Sequence, residues 1–214
     1  MKRIFEVSVP QGGVAFALLN TYSTIVIKTD SLTALFDPVK IKLKEEDGID
    51  LIIITHEHSD HFEQNLVLDL QKEKNAVVLT TPFLAHMLGD LGGYVKSLRV
   101  GDSFKKKDAF FYAEYSNHPG NQPLSFVIGT KGINIYHPND SRPFPEMTLI
   151  KRRFRPELML YTGNGLGDIP EIAGMISPKV VVSYSDPRFK EMKIAGVEIK
   201  MLDQGEVYLF SPSP

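Results

Sequence analysis

The chain has 214 residues, of which 43% are hydrophobic and 23% charged, enough for one sizeable core and ordinary for a globular domain. Its formal net charge of −2 gives no global attraction to nucleic acid or an anionic membrane, so any preference for anions has to be local. There is no cysteine, which excludes disulfides, thiolate metal ligands and a cysteine nucleophile.

No apolar run approaches the ~20 residues that span a bilayer. Met1-Lys2-Arg3 loosely resembles the head of a signal peptide, but Glu6, Pro10 and Gln11 interrupt the apolar stretch that would follow. The expectation is a cytoplasmic, membrane-free protein with a single domain over residues 1–214. Nothing in the composition speaks against a homo-oligomer.

In chain order, residues 4–9, 14–19, 24–28 and 32–36 are β-branched or apolar runs divided by Gly, Asn, Asp and Ser, and read as strands. Residues 51–55 are continuously apolar, as in a strand buried on both faces. In 62–74, Phe62, Leu66, Val67 and Leu70 recur at helical spacing. Residues 75–81 return to strand. A short helix over 82–91 opens on Pro82 and stops at Gly92-Gly93.

Residues 94–100 and 109–115 read as strands turning through Gly101-Asp102. Residues 124–128 and 133–136 form a hairpin around 129–132. Residues 158–161 form another buried strand. A helix over 169–176 has Asp168 as N-cap and Pro170 in its first turn. Residues 179–184, 197–202 and 206–210 complete the strands. With no repeat and no low-complexity linker, this alternation indicates an α/β sandwich.

The chemistry gathers after the strand at 51–55, in His56-Glu57-His58-Ser59-Asp60-His61. Two positions apart on extended backbone, His56 and His58 project to the same side and can converge on one ion. Asp60 and His61 follow where the chain turns towards a helix, so they can serve a second position nearby. Imidazole suits zinc and iron, and carboxylate compensates charge. The zincin pattern H-E-x-x-H is excluded, because Asp60 stands where its second histidine belongs.

These residues resemble the metallo-β-lactamase superfamily: residues 55–61 match its H-x-H-x-D-H motif. Leu35-Phe36-Asp37-Pro38 is similar to an earlier aspartate motif, whose carboxylate supports the histidine loop. Ser116-Asn117-His118-Pro119-Gly120 lies where the third histidine belongs, and residues 135–141 resemble the strand end that carries a bridging aspartate. The resemblance implies a four-layer αβ/βα sandwich with metals at one edge. It implies His56, His58 and His118 as ligands of a first ion, Asp60 and His61 of a second, and Asp140 between them. One departure stands out. Ser185 occupies the place of the family's last histidine, and no histidine follows His137. Asp186 or water would have to fill that coordination position, which leaves the count at one or two ions.

The resulting expectation is a hydrolase that uses zinc, with manganese or iron as substitutes. Its nucleophile would be a metal-bound hydroxide oriented by Asp60, acting on an ester, lactone, amide or phosphodiester. Two alternatives remain open. One is an iron-dependent dioxygenase-type oxidoreductase, and the other a non-catalytic metal-binding module with a degenerate second site.

His137 reads as a strand-end surface histidine in preference to a partner of the ligands. His86 reads as a helix-edge residue. The glycine-rich residues 161–167 read as a strand-to-helix turn, with anion binding as the alternative. The basic clusters Lys151, Arg152, Arg153, Arg155 and Lys105–Lys107 could attract a phosphate-bearing small substrate. Near-neutral charge favours a solvated face and disfavours nucleic acid.

Overall fold

The computed structural model describes residues 3–89, 91–163, 165–187 and 191–211. Its first sheet contains β1 (Val14–Leu18), β2 (Ile25–Lys28), β3 (Thr33–Phe36), β4 (Leu51–Ile53), β5 (Val77–Thr80) and β6 (Val95–Ser97), with β14 (Val207–Phe210) at the edge beside β1. Its second contains β7 (Ser103–Lys106), β8 (Ala109–Tyr115), β9 (Leu124–Gly129), β10 (Asn134–His137), β11 (Leu158–Tyr161), β12 (Val180–Tyr184) and β13 (Glu198–Leu202) in spatial sequence. In each sheet the pairing is antiparallel up to one strand and parallel beyond it: β3 in the first and β10 in the second.

Strand alternation builds four layers from these sheets. Leu51 and Ile53 of β4 face the second sheet, where Leu158 and Leu160 of β11 and Phe111 and Phe126 lie in the same core. Ile52 and Ile54 point the other way, onto α1 (Gln64–Lys74) and α2 (Pro82–Leu88) through Val67, Leu70, Leu84 and Leu88. Met159 and Tyr161 likewise point away from the first sheet, onto α3 (Met147–Phe154) and α4 (Ile169–Ile176). A strand buried on both faces has no polar side to expose, which is why the run at 51–54 is unbroken. The αβ/βα sandwich expected from the resemblance is the observed fold.

Several elements differ from the sequence expectation. Residues 4–6 form a 3-10 turn in place of a first strand. Ile4 is buried, while Lys28 Nζ takes the Phe5 carbonyl at 2.8 Å, so that oxygen is bonded to a side chain and not to a neighbouring strand. Helix α2 starts as expected, with Thr81 Oγ1 accepting from the Leu84 N–H. It stops three residues early at Gly89, whose φ of +72° suits glycine and ends the helical path.

The turn through Gly101-Asp102 leads into an extra strand, β7, which has only a half-buried Phe104 to mark it. Helix α3 was hidden by its charge. Only Met147 and Ile150 are buried in it, and Lys151, Arg152 and Arg153 fill its last turn, where cations suit the helix dipole. Asp168 does precede α4, but its side chain makes no capping bond, because the 3-10 turn Leu166–Asp168 already holds it in a helical conformation. Among the described residues no helix is long and apolar enough to cross a membrane.

Candidate metal centre

The histidine loop leaves β4 at its carboxyl end, beside the strand where the first sheet changes from antiparallel to parallel pairing. In α/β sheets such switch points open crevices for ligands. Asp37 follows β3 and is wholly buried. Its Oδ1 accepts the Thr55 N–H at 2.8 Å, and its Oδ2 accepts the Thr55 hydroxyl at 2.8 Å and His61 Nδ1–H at 2.9 Å. Thr55 Oγ1 lies 3.0 Å from His56 Nδ1. One carboxylate therefore holds the loop backbone, His61 directly, and His56 through a threonine.

The second sheet supplies the rest. His118 sits in the loop after β8, and Asp140 follows β10. Hydrogen bonds join the His118 loop to the histidine loop and to the Asp140 loop. Glu57 Oε1 accepts from the Asn121 backbone N–H at 2.8 Å and its Nδ2 at 2.7 Å, and Ser141 Oγ accepts the Asn117 N–H at 2.9 Å. Arg142 N–H donates to the Asn117 carbonyl at 3.0 Å. Ser23 Oγ donates to the Asp60 carbonyl.

Five of the six expected site residues come together. The ligand atoms of His56, His58 and His118 lie within 4.8 Å of one another, and so do those of His56, His61 and Asp140. His58 Nδ1 is 3.1 Å from His56 Nε2 and 3.0 Å from His118 Nε2, while Asp140 Oδ2 is 3.3 Å from His61 Nε2 and 3.9 Å from His118 Nε2. His56 thus belongs to both groups, where the sequence had placed it in the first alone. Asp60 belongs to neither; its Oδ2 stands 3.9 Å from His61 Nε2, with 39% of the side chain exposed. Ser185 is exposed and Asp186 buried, and neither joins either group.

The protonation chemistry of the first group suits a cation. Burial, aided by the charge on His61, pushes the His56 pKa down to about 4, and burial also lowers that of His118. Both imidazoles are neutral at pH 7 and keep a lone pair. Burial works against charge on His61 as well, but hydrogen bonds to Asp140 and Asp37 outweigh it and raise its pKa to about 10. Burial opposes the Asp140 carboxylate too, yet the His61 hydrogen bond and charge hold it below the ordinary range.

Three imidazole nitrogens facing one another and a buried Asp140 Oδ1 with no hydrogen-bond partner form a nitrogen and oxygen donor set. That fits a divalent ion of the zinc, iron or manganese class.

The expectation of a surface His137 is corrected. The residue is fully buried, its Nδ1–H donates to the Leu160 carbonyl at 2.9 Å, and its ring packs edge-on against Phe36 with centroids 5.1 Å apart. It is the last residue of β10 and points between the sheets, which strand alternation would have shown had the strand been continued one residue further. His86 is exposed on α2, as expected. Gly163 has a packing reason: a Cβ there would lie 2.8 Å from Tyr161 Oη and 3.0 Å from the Asn139 carbonyl. Asn164 lies outside the described residues. Beside the ligands, a cleft of about 510 Å³ is lined by His118, Asp140, Arg142, Tyr161 and Asp168.

Sequence reasoning missed Thr55, Glu57, Asn139 and Ser141. All four adjoin a ligand in the chain, but what they bond to comes from another loop.

Residues 17–183 match the family described as the β-lactamase superfamily domain. A protein of Staphylothermus marinus, named as a UPF0173 metal-dependent hydrolase, is 27% identical over 173 residues, covering 77% of this chain and 75% of its own. Among solved structures, Igni18, described as a novel metallo hydrolase from Ignicoccus hospitalis, superposes with a TM-score of 0.81 at 19% identity, covering 94% of this chain and 100% of its own. CmlA, a diiron β-hydroxylase from Streptomyces venezuelae, superposes with a TM-score of 0.69 at 14% identity, over 95% of this chain and 55% of its own. By the extent of the family match and by its fold, this chain belongs to the metallo-β-lactamase superfamily.

Proposed function

We propose that the protein is a metal-dependent hydrolase, with His56, His58 and His118 holding one ion and His61 and Asp140 a second. The observation that carries this reading is the convergence of four histidines and one carboxylate from three loops onto two adjoining groups of donor atoms. A relative named as a metal-dependent hydrolase supports it. When bound, a zinc-class ion lowers the pKa of a water from ~15.7 towards ~7 and polarises the oxygen of the scissile bond.

The chain's own groups supply the remainder. Asp37 and Thr55 keep His56 and His61 oriented, which sustains ligand basicity. Asp60, exposed enough to meet water and 3.9 Å from His61 Nε2, takes the proton from the attacking water. The cleft of about 510 Å³ suits a small molecule, and Arg142 at its wall suits an anionic group on the ester, lactone, amide or phosphodiester.

The test is elemental analysis of the purified chain followed by turnover of ester, lactone and phosphodiester panels. One or two zinc ions per chain and hydrolysis lost on chelation are expected. Saturating zinc at ~100 Kd would stabilise the fold by about 2.7 kcal/mol. Full occupancy with no turnover on any panel would favour a non-catalytic metal-binding module.

A second reading is oxidative. The all-nitrogen-and-oxygen donor set suits iron as well as zinc, and the diiron β-hydroxylase shares the fold. Stoichiometric iron in place of zinc, with dioxygen consumed, would select it.

A further inference from the structure

We propose that Asn139 is a positioning residue of the metal centre, whose side-chain carbonyl holds the His56 imidazole in the tautomer that turns a bare Nε2 towards the ion. The inference rests on the metal-dependent reading above.

Asn139 is fully buried between β10 and Asp140, in the left-handed region at φ +58°. Its side-chain amide lies 3.1 Å from His56 Nδ1, with the nitrogen Nδ2 placed nearest, while its Oδ1 has no hydrogen-bond partner. The proton count around Thr55 decides which amide atom belongs there. The Thr55 hydroxyl has a single proton, and it goes to Asp37 Oδ2 at 2.8 Å. Towards His56 Nδ1, 3.0 Å away, the Thr55 oxygen can only accept.

His56 Nδ1 therefore carries the hydrogen, and Nε2, facing His58 Nδ1 and the rest of the first group, is bare. An N–H cannot be met by an amide NH₂. The amide oxygen and nitrogen are nearly equal in shape and exchange by a half-turn of the side chain. That half-turn brings Oδ1 to His56 Nδ1–H and gives the unpartnered buried oxygen its bond. Proton counting at Thr55 and the orphaned oxygen at Asn139 are separate observations, and they select the same orientation.

The consequence is that His56, the ligand shared by both groups, is held from both sheets. Thr55 and Asp37 hold it from the first, and Asn139 from the second. Because Asn139 is joined to Asp140, the same bond sets the distance between the two ligand-bearing loops. The left-handed backbone there admits Asn, Asp and Gly, so the side chain can be changed without adding strain.

The experiment compares wild type, Asn139→Gly and Asn139→Asp. Long-range ¹H–¹⁵N spectra of the metal-free proteins read the His56 tautomer, and competition with a chromophoric chelator reads zinc affinity. Wild type is expected to show His56 protonated on Nδ1. Asn139→Gly, which keeps the backbone and deletes the acceptor, is expected to bind zinc 10–100-fold more weakly. Asn139→Asp, which keeps an acceptor, should retain the Nδ1–H tautomer and the affinity.

A wild-type His56 protonated on Nε2 overturns the proposal, and so does an Asn139→Gly affinity within twofold of wild type. Wild-type protein that takes up no divalent ion at all removes the metal reading itself. That outcome is distinct from a wild type that binds zinc and does not need Asn139.

Discussion

Asp37 and Asp140 stand at equivalent points of the two sheets and do different work. Each follows the strand at which its sheet turns from antiparallel to parallel pairing, β3 for one and β10 for the other. Asp37 is bonded on both sides, with three N–H and O–H donors converging on its two oxygens. Asp140 touches His61 with one oxygen and leaves the other buried and bare. A buried carboxylate with donors on both oxygens is scaffold, because neither oxygen is left bare. One with an empty oxygen among imidazoles is prepared for a cation.

The sharpest way to break this comparison is to remove what both halves share. His56→Ala takes a donor from each group, and metal content by elemental analysis should fall to background. Retention of one ion per chain would mean that the groups are independent.

The two aspartates should then separate by what they damage. Asp37→Asn leaves a buried partner uncompensated at a cost of about 3 kcal/mol, which lowers the metal-free Tm by roughly 10 °C in scanning calorimetry. Asp140→Asn should shift that Tm by no more than about 3 °C while weakening zinc at least ~10-fold. Equal Tm losses would place both residues in the scaffold.

Thr55→Val keeps the shape of the side chain and deletes the hydroxyl between Asp37 and His56. Urea unfolding should show a loss of about 1–3 kcal/mol. His86→Gln, on the exposed face of α2, should change stability by no more than about 0.5 kcal/mol and leave metal content alone.

The centre was legible because its densest part is local. His56, His58, Asp60 and His61 occupy six positions after a doubly buried strand, and short spacing on extended backbone already makes side chains converge. The fold was legible for a related reason, since burial on both faces leaves the unbroken apolar runs of β4, β11 and β12. Where a segment buries two residues, as α3 does, or only half-buries Phe104, as β7 does, its charge masked it.

By itself, then, the sequence determined the sandwich and the kind of donor atoms at its edge. Tertiary structure alone decided how they are arranged: His56 in both groups, Asp60 set back from His61, and His137 buried against Phe36. It also revealed the bonds that hold the centre, from Thr55 to Asp37 and from Asn139 to His56. Those partners lie 18 and 83 positions apart in the chain. Hydrogen bonds over such separations leave no periodic trace, because they are fixed by how two sheets stack and not by how one segment repeats.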